Sequence, residues 1–365
     1  MRKRISALSM PSLPSLVALF ALQLSLLGCN EAPEQLQDET ITEIKTESLL
    51  LSQDDELKLK KLVAEYWKAV RVSASDNRQK LSVLNELVDD FLSNPNEGSL
   101  LAVKEQWLAS YLSYQALATV AQFHQSMPNV YAEQRNIWLA IDPYPIAVGY
   151  IDDFGPYRGV GIVNDLLVEI NESSVRSQHA ITDPSEAILG YLPLGFLLWG
   201  DNISNAERVN DYKINDNQNT QRRRQLLEIV STALANDIKV LEQWLSDTGQ
   251  IDVLFYRLPV LAQIELIKRS SAAFAEHRIL AVLQDEAQDD WRPNKIWPKV
   301  LSVQVKQLNE NIELLKSANA LPLAISVDAV ANTEASPVLK DDVISKNQNA
   351  KLIESLERLI EEARN

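Results

Sequence analysis

Apolar residues recur along most of this chain at spacings of three and four, the period of an amphipathic helix. The stretches that break the period carry proline, asparagine or acidic runs. Ser52, with Asp55 and Glu56 behind it, reads as a helix start. A hydroxyl caps the first free N–H groups there, and carboxylates face the positive end of the helix dipole. Leu59, Leu62, Val63, Tyr66, Trp67 and Val70 then fall on one face. Leu81, Leu84, Leu87, Val88, Phe91 and Leu92 predict a second helix, which stops before Pro95 because the residue ahead of a proline is driven out of the helical region. A third helix is predicted from about 99 to 126, with Leu100, Val103, Trp107, Tyr111, Tyr114, Leu117 and Ala121 on one side and Pro128 closing it.

Between residues 127 and 187 the period fails. This stretch holds Pro128, Pro143, Pro145, Pro156 and Pro184, and four of the chain's ten glycines. It reads as long irregular structure with one short helix at 162–170. Loops of such length inside a compact fold usually cover or build a site. A short apolar helix is predicted at 187–199, then a polar, Asn-rich loop at 201–220. A long helix over 221–246 turns Leu226, Leu227, Val230, Leu234, Ile238, Leu241 and Leu245 inward. Further helices are expected at 251–284, 295–318 and 348–363, the last with Leu352, Leu356, Leu359 and Ile360 on one face. Residues 319–347 hold an apolar patch, Leu321 to Val327, followed by polar linker. There is no short repeat and no sustained seven-residue pattern of a coiled coil.

Composition narrows the field. With 46% hydrophobic and 23% charged residues, the 365-residue chain is globular. Ten glycines fall well below the usual share of about 7%, which weighs against β-sandwiches and phosphate-cradling α/β folds. The net charge of −15 argues against nucleic acid as a partner, because phosphate binding rests on Lys and Arg. One cysteine excludes an internal disulfide, and three histidines leave little for a multi-histidine centre.

That cysteine has a context. Arg2, Lys3 and Arg4 form a basic start, and an apolar stretch from about Leu13 to Leu27 is too short to span a bilayer. It ends in Leu26-Leu27-Gly28-Cys29, which resembles the bacterial lipobox, where the thiol takes a diacylglycerol before cleavage. Residues 1–28 are then a lipoprotein signal peptide, Cys29 the lipidated first residue and 29–51 an acidic tether. The anchored chain carries 32 basic against 50 acidic side chains, a net −18. The expected location is the bacterial cell envelope, and Asn30 in place of Asp leans toward the outer membrane, facing the periplasm.

Familiar catalytic motifs are missing. There is no His-Glu-x-x-His and no Gly-x-Ser-x-Gly, and Gly159-Val160-Gly161 lacks the third glycine of a dinucleotide fingerprint. Arg222, Arg223 and Arg224 read as the polar face of a helix start in preference to an anion clamp. His124, His179 and His277 are scattered and read as surface or hydrogen-bonded residues. Glu276-His277 could supply one metal ligand at most. Asp152-Asp153 reads as solvated loop.

The informative segment runs Gly190-Tyr191-Leu192-Pro193-Leu194-Gly195-Phe196-Leu197-Leu198-Trp199-Gly200-Asp201. It resembles the signature of imelysin-like proteins, in which a Gly-x-His-x-x-Glu motif runs into an apolar helix ending in Trp-Gly and a polar residue. Trp107 and Tyr114 match the family's early aromatic pair. Ile141-Asp142-Pro143-Tyr144-Pro145, with Gly149 to Asp152, is similar to its Pro-rich loop. Arg222 through Asp237 to Trp244 is similar to its next long helix.

The departures are specific. Leu192 stands where the family has His, Gly195 where it has Glu, and Tyr111 and Ala118 where an Arg and a Glu are expected on the early helix. Imidazole and carboxylate three apart on one helix face could hold a metal or a proton, and Leu and Gly can do neither. The resemblance implies an all-α fold of two bundle-like halves, 52–246 and 247–365, with a central cleft and long Pro-containing loops. It implies a cleft lined by Trp107, Tyr114, Asp142, Tyr144, Tyr191, Trp199 and Asp201. The family occurs in bacterial iron uptake, and some members were named peptidases. The expectation is a non-enzymatic lipoprotein acting as a binding or accessory component in iron or other metal uptake; no cofactor is predicted, and iron or another divalent metal is the ligand left open. Its partners would be the membrane, through the anchor, and envelope iron-uptake proteins. The alternatives are a metallopeptidase and an envelope protein-interaction module.

Overall fold

The computed structural model describes residues 51–201, 203–284, 296–319 and 346–364. The signal peptide, Cys29, nearly all of the tether and the patch from Leu321 to Val327 lie outside them. Among the described residues there is no strand, only an isolated bridge between Phe154 and Tyr157. The fold is all-α.

Helix α1, Gln53–Ser93, is a single element of 41 residues where the sequence suggests two helices. Ser52 caps it as expected, its hydroxyl accepting from the Asp55 N–H at 3.2 Å. The polar stretch between the two apolar runs contains no Gly or Pro, and Ala74 and Asn77 carry the buried stripe across it. Helix α2, Glu97–Tyr114, starts on an Asn96–Ser99 capping box and folds back along α1. The third predicted helix is broken at its middle. The Gln115 side chain takes the Tyr111 carbonyl at 3.1 Å, which an uninterrupted helix would give to a backbone N–H. The chain then passes through the 3₁₀ turn Gln115–Leu117 into the short helices Ala118–Ala121 and Phe123–Ser126.

The middle is irregular as expected, with the short helices Pro128–Tyr131, α3 (Arg135–Ile141) and Glu172–Gln178. The helix expected at 162–170 is absent. Arg222 donates to the carbonyls of Ile162, Val163 and Asp165, and carbonyls held by a guanidinium are not available to helical N–H groups. Helix α4, Tyr191–Trp199, is the apolar helix, with eight of its nine residues buried. The polar loop at 201–220 contains helix α5, Asn205–Asn210, on a Ser204–Glu207 capping box. Helix α6, Gln218–Leu245, runs beside α1 in the opposite direction: Arg224 reaches the Leu92 carbonyl at one end and Arg71 the Leu245 carbonyl at the other.

The predicted 251–284 helix divides at Pro259 into α7, Gln250–Arg257, and α8, Val260–Phe274, then widens into a π turn, Ala275–Leu280. Helices α9, Trp297–Asn319, and α10, Lys346–Arg364, pack on α8.

His179 fixes the approach to α4. Its Nδ1 accepts from the N–H groups of Ile188 and Leu189, each at 3.1 Å, so the proton sits on Nε2, which is buried without a hydrogen-bond partner. Burial pushes its pKa down from 6.5 to about 4. The folded chain therefore resists a proton that the unfolded chain accepts, and stability present above pH 6.5 is lost as pH falls toward 4. The loss is up to about 3 kcal/mol. His179→Asn keeps a short acceptor without the titration. Denaturant unfolding should show a shallower acid slope for the variant, and identical slopes would contradict this role.

Candidate functional site

The site grows from three stretches that meet at α4. Trp107, Tyr111 and Tyr114 lie on one face of α2, spaced by four and three residues. Tyr191 opens α4 and is fully buried. Its ring centre lies 5.0 Å from that of Tyr111, 5.4 Å from Tyr114 and 6.5 Å from Trp107. The Trp107 indole N–H donates to the Tyr191 carbonyl at 2.9 Å, and its ring meets Trp199 edge-on at 5.1 Å. Trp297, from α9, stacks on Tyr111 at 6.4 Å. The Tyr191 hydroxyl is bound by Asn77 of α1, which also donates to the Ser110 carbonyl at 2.7 Å and to Ser113 Oγ at 2.8 Å.

Gly190 lets the second stretch come close. Its φ is +106°, and a Cβ there would sit 2.6 Å from the Ile141 carbonyl oxygen and 2.7 Å from Pro143 Cδ. Those two residues flank Asp142. With no side chain at 190, the turn presses against α4 and delivers the Asp142 carboxylate to Tyr111, whose hydroxyl donates to Oδ1 at 3.2 Å.

The third stretch is the π turn. Such turns are rare and cluster at functional sites. It brings Ala275, Arg278, Ile279 and Leu280 to the buried side. Arg278 pairs with Asp142 Oδ2, donates to the Asp142 carbonyl at 3.3 Å and to the Tyr111 hydroxyl at 3.2 Å, and lies 5.2 Å from the centre of the Tyr144 ring. Both charged side chains are below 10% exposed, at 9% and 5%. Burial lifts the Asp142 pKa, and Arg278 and Tyr111 pull it back. Burial opposes the charge on Arg278, and the Asp142 carboxylate outweighs it and keeps the guanidinium protonated. The Tyr111 and Tyr191 hydroxyls are held neutral, chiefly by burial.

Of the residues singled out in the sequence, Trp107, Tyr114, Asp142, Tyr144, Tyr191 and Trp199 thus come together, and they close on one another. Asp201 stands at the edge, where Oδ2 accepts from the Gly155 N–H at 2.7 Å. Leu192 is 1% exposed and Gly195 is buried. Among the described residues, surface cavities of 390 to 480 Å³ open on the outer sides of these elements, one along α2 at Ser113 and one along α8 and the π turn at His277, and none is lined by Tyr111, Asp142, Tyr191 or Arg278. Among the described residues no three His, Cys, Asp or Glu side chains gather as a metal site.

Two sequence readings are corrected. Arg222, Arg223 and Arg224 are neither an anion clamp nor a solvated face. Arg222 grips the 162–165 turn, Arg223 pairs with Asp152, and Arg224 holds the Tyr212 and Leu92 carbonyls. Asp152 is accordingly 2% exposed instead of solvated. The reason is local: α6 begins where the loops converge, and their unpaired carbonyls need donors. Sequence reasoning missed Arg278 and Asn77. The signal for Arg278 was a lone basic residue just ahead of Ile279 and Leu280; Asn77 gave none beyond its place in the α1 stripe.

Gly190→Ala should destabilise the fold by at least about 2 kcal/mol, since strain at positive φ adds to a clash with backbone. Gly98→Ala, where only the Asn96 side chain approaches, serves as the control. Equal midpoints for the two variants in urea would contradict the close approach.

A family model described as imelysin, and labelled a peptidase family, matches residues 71–271. The span takes in Trp107, Tyr111, Asp142 and the whole of α4, and ends seven residues before Arg278. No curated protein matches the chain.

Proposed function

Because the chain belongs to the imelysin family, we propose that it is a cell-envelope lipoprotein serving as a non-enzymatic binding or accessory component of iron or other metal uptake. It is anchored through Cys29 and faces the periplasm, with outer-membrane placement the favoured one. One observation carries the non-enzymatic part. The positions where the family motif has His and Glu are Leu192 and Gly195, both packed in the core. The nearby charges, Asp142 and Arg278, neutralise each other. Neither arrangement offers a metal an open set of ligands or a substrate a free base. Its role in uptake then runs through envelope partners instead of direct chelation.

The anchor reading rests on the lipobox-like Leu26-Leu27-Gly28-Cys29 and the short apolar run before it. No helix among the described residues is long and apolar enough to cross a membrane.

Three measurements test it. Labelled fatty acid should enter the wild-type chain and not Cys29→Ala. Deletion of the gene should slow growth under iron limitation, with rescue by the wild type and not by Cys29→Ala; unchanged growth would contradict the uptake role. Calorimetry of the chain from Asn30 onward should show no stoichiometric heat with iron, zinc or copper. Stoichiometric binding, or peptide hydrolysis abolished by chelation, would replace this reading with direct metal chemistry.

A further inference from the structure

One turn before Trp107, α2 carries Lys104, whose side chain is only 6% exposed. Its Nζ donates to Asn205 Oδ1 at 2.7 Å and lies 5.1 Å from the centre of the Trp199 ring. No carboxylate among the described residues pairs with it. Lysine is almost never buried without a counter-charge, because the desolvated ammonium is left uncompensated.

The neighbouring groups deepen the deficit. Arg208 is buried as well and adds like charge. Its guanidinium is already committed, with Nε and Nη2 on the Leu197 carbonyl and Nη1 on Asp211 at 2.9 Å. The other carboxylates of this corner are engaged too. Glu207 accepts from Ser204, and Asp201 from Gly155. Burial, with Arg208 second, lowers the Lys104 pKa to about 8, the response of an amine that lacks an anion. Asn205 spends Oδ1 on the ammonium, and its Nδ2 has no partner among the described residues.

We propose that Lys104 and Asn205, beside Trp199 and Arg208, form a binding site for a small monocarboxylate, which accepts from Lys104 Nζ and Asn205 Nδ2 and supplies the missing negative charge. Charge decides the valence. Asp211 already balances Arg208, so one positive charge remains, and a monoanion cancels it. The partly exposed Trp199 ring, 5.1 Å from Nζ, favours a carbon skeleton over an inorganic oxyanion. The site is separate from the Asp142–Arg278 pair and stands whether or not the chain serves metal uptake.

The test is NMR of the full chain with ¹³Cε-labelled lysine, the Lys104 signal being the one absent from Lys104→Arg. In chloride it should titrate near pH 8. Acetate at equal ionic strength should raise the midpoint by about half a unit or more, a roughly threefold preference for the charged form. Sulfate should not. No shift with acetate, or an equal shift with sulfate, would overturn the proposal. Lys104→Met separates binding from structure. It should melt higher than the wild type, as expected when a residue costs stability for the sake of a ligand, and acetate should no longer raise its melting temperature. A lower melting temperature for Lys104→Met in chloride would show a structural lysine and overturn the proposal.

Discussion

The ion pair between Asp142 and Arg278 is the constraint around which the centre of this protein is organised. It joins the Pro-rich turn after α3 to the π turn after α8, far apart in sequence. Two charges taken out of water cost several kcal/mol each unless geometry and hydrogen bonds compensate. Compensation here comes from Tyr111, which bonds both partners, and from the Tyr144 ring beside the guanidinium. Neither charge could be buried alone, so the two stretches that carry them are committed to each other.

Gly190 and the aromatic cluster follow from the same requirement. The turn bearing Asp142 must press on α4, and only a residue without Cβ permits that approach. Tyr191, immediately after it, stacks with Tyr111 and Tyr114 and is oriented by Asn77 from α1. Leu192 and Gly195, next along α4, are packed into the core, and the charge beside them is closed on itself.

The helices were legible in the sequence because their apolar period is a local property. α6 and α4 were readable to within a few residues, and the Ser52 cap was read directly. The errors have tertiary causes. Two helices were read where Ala74 and Asn77 make one, because neither residue looks like a core position until α2 supplies Asn77 with partners. A helix was read at 162–170 that Arg222 dismantles from 57 to 60 residues away. The Ser204–Glu207 capping box that starts α5 is, by contrast, a local signal carried by the sequence itself. Within the site, Trp107, Tyr114, Asp142 and Tyr191 were accessible through the family resemblance. Arg278 was not, since an arginine becomes a site residue only through its partner, and that partner lies 136 residues earlier.

These charges form a closed, mutually compensating pair inside packed core instead of an open ligand site. A mutant cycle in denaturant unfolding tests it most directly. Asp142→Leu and Arg278→Met should each cost about 3–5 kcal/mol, because each leaves one charge buried and unpaired, and the double variant should recover most of that loss. Single variants near wild-type stability, or a double variant whose loss equals the sum of the two, would mean that the groups are solvated and independent, and would contradict the account.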